Sequence, residues 1–394
     1  MLQVDSLTSY ALRIPRDFDR AIGGAGSPSV LSNGTARYRS ASSYATVYSN
    51  EIEALLIKVT AGDYVGWGEA QTPIAPEICH SILEHLAGPL LIGQNALSPA
   101  DVYRTLYDAM RVRGHSSGFY LDALAAIDIA LWDICGKAVN RPTCSLLSKD
   151  AKPQVPLYIS GVSGANTEEQ LDYAINAAEQ GAKAFKIFWP NSFEEGFSLI
   201  RQLRQKLPQV DLYVDALWRL NREEAAYYAA ALGEQRVAWL EAPFMPEDLA
   251  AHAWLRSVSP IPIAIGESYR GLVEFQRVFE AGAADVLQPD LGRCGISTAY
   301  SVAQIAQSKK LSFAPHVSIS LGPQLAAAIH VSAASPALIR AEINPQILAV
   351  AQRFTNIPLI VTKAHFVTPT SPGLGVSISE SSLQPYVAMT ATVS

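Results

Sequence analysis

Apolar and polar positions change rhythm twice along this chain. Residues 2–12 and 52–60 carry β-type side chains in partial alternation, the period of strands with one buried face. Residues 52–60, then Gly62 and Asp63, then 65–67 predict a hairpin. The intervening stretch 21–43 is rich in Gly, Ser, Ala and Asn and is punctuated by Pro28. An insertion of that size in a compact domain is usually a functional loop. The rhythm then turns helical over about 76–90, 99–111 and 118–138. The last of these, GFYLDALAAIDIALWDICGKA, is apolar on nearly every face, which predicts a helix buried at a domain boundary.

From about residue 155, short β-type runs alternate with helical runs. Strands are expected at 157–160, 185–188, 212–214, 238–240, 263–264, 286–287, 312–313 and 339–341. Helices are expected at about 167–180, 193–207, 222–232, 271–281, 297–309 and 322–333. Thr167 with Glu169 and Gln170, and Asn221 before Arg222, Glu223 and Glu224, suit helix starts. Strands joined by helical crossovers are the mark of a β/α barrel. Beyond residue 357 the texture is turn-like and β-branched. The expected organisation is an N-terminal α+β domain over 1–150, a barrel over 151–356, and a C-terminal segment, 357–394, packing back on the first domain.

The chain has 394 residues, 49% apolar and 17% charged, which suits a large well-packed globular protein. A net charge of −6 without a basic run argues against a nucleic-acid groove. No signal-peptide pattern opens the chain, and no apolar stretch is long enough to span a bilayer. Cys79, Cys135, Cys144 and Cys294 share no CxxC spacing, which fits the reducing cytosol, so a cytoplasmic location is expected.

Ionisable residues recur just after the apolar strands. Asp215 follows LYV, Glu241 follows VAWL, Glu267 follows IPIAIG, Asp290 follows DVLQP, His316 follows LSFAP and Glu342 follows LIRA. The gaps are 26, 26, 23, 26 and 26 residues, each the length of one βα unit. In a barrel such positions converge on one mouth. Asp215, Glu241 and Glu267 would crowd there as like charges, and a hard divalent cation relieves both repulsion and burial. An all-oxygen set favours Mg²⁺ over Zn²⁺, and Mn²⁺ also fits. Asp290 beside His316 would fix the ring tautomer and raise its basicity, making His316 a candidate acid/base. Lys186, in AFKIF, should point inward and could hold a substrate carboxylate or exchange a proton. Together these groups suit removal of a proton next to a carboxylate, with the resulting enediolate stabilised by preorganised positive charge.

The motifs WGEA (67–70), AIDIALWDICGK (126–137), GAKAFKIF, VDA, WLEAP, IGE, PDLGRCGIS, APH and PGLGV occur in an order and spacing that resemble the enolase superfamily, in its mandelate racemase and muconate-lactonising branch. The resemblance implies an α/β fold: a modified TIM barrel, (β/α)₇β, with an α+β capping domain. It implies Mg²⁺ on Asp215, Glu241 and Glu267, a His316–Asp290 dyad, and a Glu342 that donates to the substrate carboxylate when protonated. It also implies a homo-oligomer and a small carboxylate substrate, with a sugar acid leading. Two positions depart from the branch. A common Lys-x-Lys becomes Lys186–Ile187–Phe188, and a common Asp-x-Asn becomes Asp215–Ala216–Leu217. Phenylalanine cannot carry a proton, so one base on one face is expected. That favours syn elimination, hence dehydration to a 2-keto-3-deoxy acid. Epimerisation, lactone cycloisomerisation and a non-catalytic binding barrel are the alternatives. Arg20, Arg37, Arg39, Tyr48 and His115 are further candidates to touch substrate, and Trp218 and Arg219 to shape its cavity.

Overall fold

The alternating N-terminal segments build one face of a cap. In the computed structural model, which describes residues 2–16, 37–40, 46–189, 192–357, 361–362 and 364–394, they join the C-terminus in a four-stranded antiparallel sheet. Ser6–Pro15 lies between Val387–Val393 and Glu51–Ala61, and Tyr64–Ala70 follows as the edge. The first strand starts later than its apolar pattern suggests. Val4 instead exchanges backbone bonds with Gln94 and Gly93 of the cap's helical layer.

The apolar helix Phe119–Ala138 packs between that sheet and barrel helix Leu291–Ser308, so nearly all of its faces are covered. Contact with the sheet is backbone to backbone. A Cβ at Gly68 would lie 2.0 Å from the Ala126 carbonyl oxygen, so only glycine allows the approach. Three aspartates on this helix are buried, and each is satisfied by fixed donors, two of them across the seam with the barrel. Asp122 pairs bidentately with Arg270. Asp128 accepts from the Ser297 N–H and hydroxyl at 2.8 and 2.6 Å. Asp133 accepts from the Trp67 and Leu374 N–H groups and from Lys137.

The second domain is a ring of parallel strands: Gln154–Ser160, Ala184–Phe188, Asp211–Asp215, Trp239–Glu241, Ile263–Ile265, Val286–Leu287, Ser312–Phe313 and Ala341–Ile343. The ring closes because Phe313 bridges Leu338 while Ala341–Ile343 pairs with the first strand. That two-sided demand displaces the last strand by two residues from its expected 339–341. Seven helices cross over between successive strands, as in a (β/α)₇β barrel, and a short helix, Pro345–Ala351, follows the last strand. The unexpected member is Leu249–Val258, capped by Asp248. It spans ten residues and follows a turn that holds Pro243 and Pro246. Helix Leu291–Ser308 begins earlier than expected, because two helical pieces join at Gly295.

Tyr158, Tyr213 and Trp239 form part of the barrel interior, with the Tyr213 and Trp239 rings stacked at 3.5 Å. They make an apolar floor beneath the mouth. No described helix is long and apolar enough to cross a membrane.

Candidate active site

Strand alternation does most of the placing. Ala184, Tyr213, Trp239, Val286 and Ala314 line the barrel interior, and two residues further along lie Lys186, Asp215, Glu241, Gln288 and His316. The fifth strand needs one residue more. Gly266 turns at φ +149°, and a Cβ there would lie 2.7 Å from the Gln288 nitrogen, so the next residue, Glu267, supplies the acid.

Carboxylate oxygens of Asp215, Glu241 and Glu267 lie within 4.8 Å of one another. Burial and then Glu241 push the Asp215 carboxyl well above its ordinary range. Burial also raises Glu267, against His316 and with Glu241. Adjacent buried acids that resist ionisation fit a divalent cation, which would favour their charged forms. The donor set is oxygen only, as hard cations require. This carboxylate-rich triad is consistent with a divalent metal site.

Lys186 is fully buried. Its Nζ lies 2.9 Å from Glu241, 2.9 Å from Glu342 and 3.6 Å from Asp215. Burial would lower its pKa, but Glu241 and Glu342 reverse the sign and hold it charged. The Phe188 ring centroid is 5.2 Å from Nζ, so the position of the missing second lysine is taken by a ring facing the first. Glu342 is buried, accepts from the Val317 N–H at 2.7 Å, and is held below its ordinary pKa, burial being outweighed by Lys186 and His316. That direction favours the carboxylate form, whereas the resemblance implies a donor once Glu342 is protonated.

His316 Nδ1 is 2.8 Å from Asp290 Oδ2, and Nε2 is 3.0 Å from Glu267 Oε2. Burial lowers the imidazole's pKa, but Glu267 and Glu342 override it and lift the value to about 10. Asp290 is anchored in turn by the Gly292 N–H and by Gln324 Nε2, both at 2.9 Å.

The residues after the triad's first two acids are strained. Leu217, Trp218 and Ala242 have φ of +54°, +57° and +44°, values that L residues rarely adopt. The Leu217 N–H donates to Asp215 Oδ1 at 2.9 Å, and the Trp218 N–H to the Ala242 carbonyl at 2.7 Å. The turn turns Leu217 inward and sets Trp218 on a cavity shared with Glu241 and Glu267. Arg219 is bound to the Trp189 carbonyl.

The peripheral candidates fare differently. Arg37 is engaged by Glu53 at 2.7 and 2.6 Å and also by Glu77, so its guanidinium is spent within the cap. Arg39 and Tyr48 pair on a short hairpin, and His115 is exposed in a surface turn. Arg20, and residues 21–36 and 41–43 of the expected loop, lie outside the described residues. Sequence reasoning passed over Gln288, whose Nε2 donates to Glu241 Oε2 at 2.8 Å. Its place one alternation beyond Val286 was the available signal.

Family models match most of the chain. Residues 32–148 match the mandelate racemase/muconate lactonizing enzyme N-terminal domain, and residues 170–382 the enolase C-terminal domain-like model. The chain belongs to the mandelate racemase/muconate lactonizing enzyme family of the enolase superfamily. It is 32% identical over 348 residues to the D-galactarolactone cycloisomerase of Agrobacterium fabrum, covering 84% of this chain and 90% of that one. It is 30% identical to the D-galactonate dehydratase of Klebsiella pneumoniae over 80% of this chain and 86% of that one. The crystal structure of an enolase superfamily member from Agrobacterium tumefaciens superposes with a TM-score of 0.92 at 29% identity, covering 100% of each chain. Family and triad together support a metal-dependent enzyme of this superfamily.

Proposed function

We propose that this protein removes the proton α to the carboxylate of a sugar acid and expels the β-hydroxyl, yielding a 2-keto-3-deoxy acid. The observation that carries the reading is the asymmetry of the two bases. His316 is oriented by Asp290 through Nδ1, which leaves Nε2 toward the carboxylate triad, whereas Lys186 lies between Glu241 and Glu342 beside a phenylalanine.

With Nδ1–H donated to Asp290, His316 presents Nε2 to the substrate as the acceptor of the α-proton. Lys186 remains an ammonium and stabilises negative charge on the substrate carboxylate, and Glu342 keeps it there. Mg²⁺ held by Asp215, Glu241 and Glu267, with Mn²⁺ as a substitute, would supply the remaining positive charge for the enediolate and engage the Glu267 charge that lifts His316. His316 then returns its proton to the departing hydroxyl on the same face. Water leaves, and the resulting enol tautomerises to the ketone.

A second reading keeps the same proton abstraction but makes the leaving group the ring oxygen of a lactone. The relative named as a D-galactarolactone cycloisomerase favours it, as do the apolar side chains of Phe188 and Leu217 and the Trp218 ring near the mouth. A panel of aldonates, aldarates and their lactones with Mg²⁺, followed by NMR, tests both. A keto-deoxy product from an open-chain acid supports dehydration. Turnover confined to lactones selects the second reading. Solvent deuterium exchange without elimination would overturn both.

A further inference from the structure

We infer that Gln324 is a positioning residue for the Asp290–His316 dyad, held in place by the buried cap carboxylate Glu69. This rests on the reading of His316 as the proton acceptor. Asp290 Oδ2 faces His316 Nδ1, and its other oxygen accepts from the Gly292 N–H and from Gln324 Nε2. A carboxylate only accepts, so the Gln324 amide must present its NH₂ to Asp290. Its Oε1 is buried and meets no donor among the described residues.

Gln324 stands in the first turn of helix Pro323–Ala334, and Glu69 fixes that turn from the other domain. Glu69 is fully buried at the end of cap strand Tyr64–Ala70. It accepts from the Leu321 N–H at 2.5 Å, the Gln324 N–H at 3.0 Å and the Ser320 hydroxyl at 3.3 Å. Two residues on, the Gln71 N–H donates to the Gly292 carbonyl at 2.8 Å. The end of one cap strand thus grips both segments that hold Asp290: the Gly292 turn and the Gln324 helix start. Without these bonds the Asp290 carboxylate is free to rotate, and the imidazole loses its fixed tautomer and direction.

The test compares Gln324→Met, which keeps the length and removes the donor, with Glu69→Gln and His316→Asn in the full-length Mg²⁺-loaded protein. Expected for Q324M is a kcat lower by about 10- to 100-fold. KM and the Mg²⁺ concentration for half-activity should change less than about twofold, and the low-field Nδ1–H proton resonance of His316 should shift or broaden. E69Q should lower kcat in the same direction by less, which keeps the test open if Q324M folds poorly. Unchanged kcat with an unchanged resonance in Q324M overturns the inference. So does a parallel loss of kcat, KM and melting temperature with the resonance intact, the signature of a purely structural amide. If H316N retains turnover, the proton-acceptor reading falls and this inference with it. An inactive H316N beside a fully active Q324M overturns this inference alone.

Discussion

Carboxylates are buried in two regions of this molecule and are satisfied in opposite ways. At the seam between cap and barrel, Asp122, Asp128 and Glu69 each meet N–H groups, hydroxyls or a fixed basic side chain. At the barrel mouth, Asp215, Glu241 and Glu267 face one another, with Lys186 between two carboxylates and His316 between two more. Both regions pay desolvation, and burial is the largest upward cause for Asp128, about 6, and Glu69, about 7, as it is for Asp215 and Glu267. The difference is what compensates it. Seam charges are closed by the chain itself and join the domains, whereas mouth charges remain in excess and call for a partner from outside. Burial of charge alone is therefore a poor sign of function; burial without internal compensation is a good one.

The comparison breaks most visibly if the mouth proves to serve stability. Chelation of divalent metal should abolish turnover by at least about a thousand-fold, roughly 4 kcal/mol of barrier, with recovery on adding Mg²⁺. Asp215→Asn should lose activity to a similar degree. Because it relieves repulsion from Glu241, it should leave the melting temperature of metal-free protein unchanged or raised. A large drop in that temperature would merge the two regions into one class.

His316→Asn comes next. It should lower kcat by about a hundred- to ten-thousand-fold and stop solvent deuterium entering the α-position, with little change in thermal stability. Asp128, a seam carboxylate with no bond to the dyad's supports, should behave in reverse. Asp128→Ala strands the Ser297 N–H and hydroxyl, so it should cost about 2–4 kcal/mol in denaturant unfolding and leave kcat of the folded fraction within about threefold. Loss of kcat at full stability would contradict the division.

The smallest effect sharpens the comparison through pH. His330, buried between the Cys144 N–H and the Leu374 carbonyl, is lowered by burial to about 4 from 6.5, a drop that the Leu374 bond only partly offsets. The unfolded chain therefore binds the extra proton first. His330 contributes stability above pH 6.5 that is lost as pH falls toward 4. His330→Asn should flatten that part of the stability–pH curve by up to about 3 kcal/mol, read as the difference between the two proteins. A parallel pair of curves would remove His330 from the account.

Much of the architecture was legible because it is periodic. Strand and helix repeats expose the barrel, and a 26-residue recurrence marks which strand ends carry acids. The faces of helix Phe119–Ala138 were readable for the same reason: an all-apolar surface must be covered. The short helix Leu249–Val258 and the shift of the last strand to Ala341–Ile343 were not legible. One starts straight after a turn with two prolines, and the other is set by a neighbouring strand.

Local pattern thus sufficed to say which side chains gather at one mouth, since alternation and unit length are properties of consecutive residues. It could not say how those side chains divide their protons and partners. Lys186 held as an ammonium between Glu241 and Glu342, Glu342 kept ionised, and Glu69 of the cap reaching the turn that carries Gln324 all depend on distances between remote segments. Electrostatic energies follow those distances, and they exist only once both domains have closed on each other.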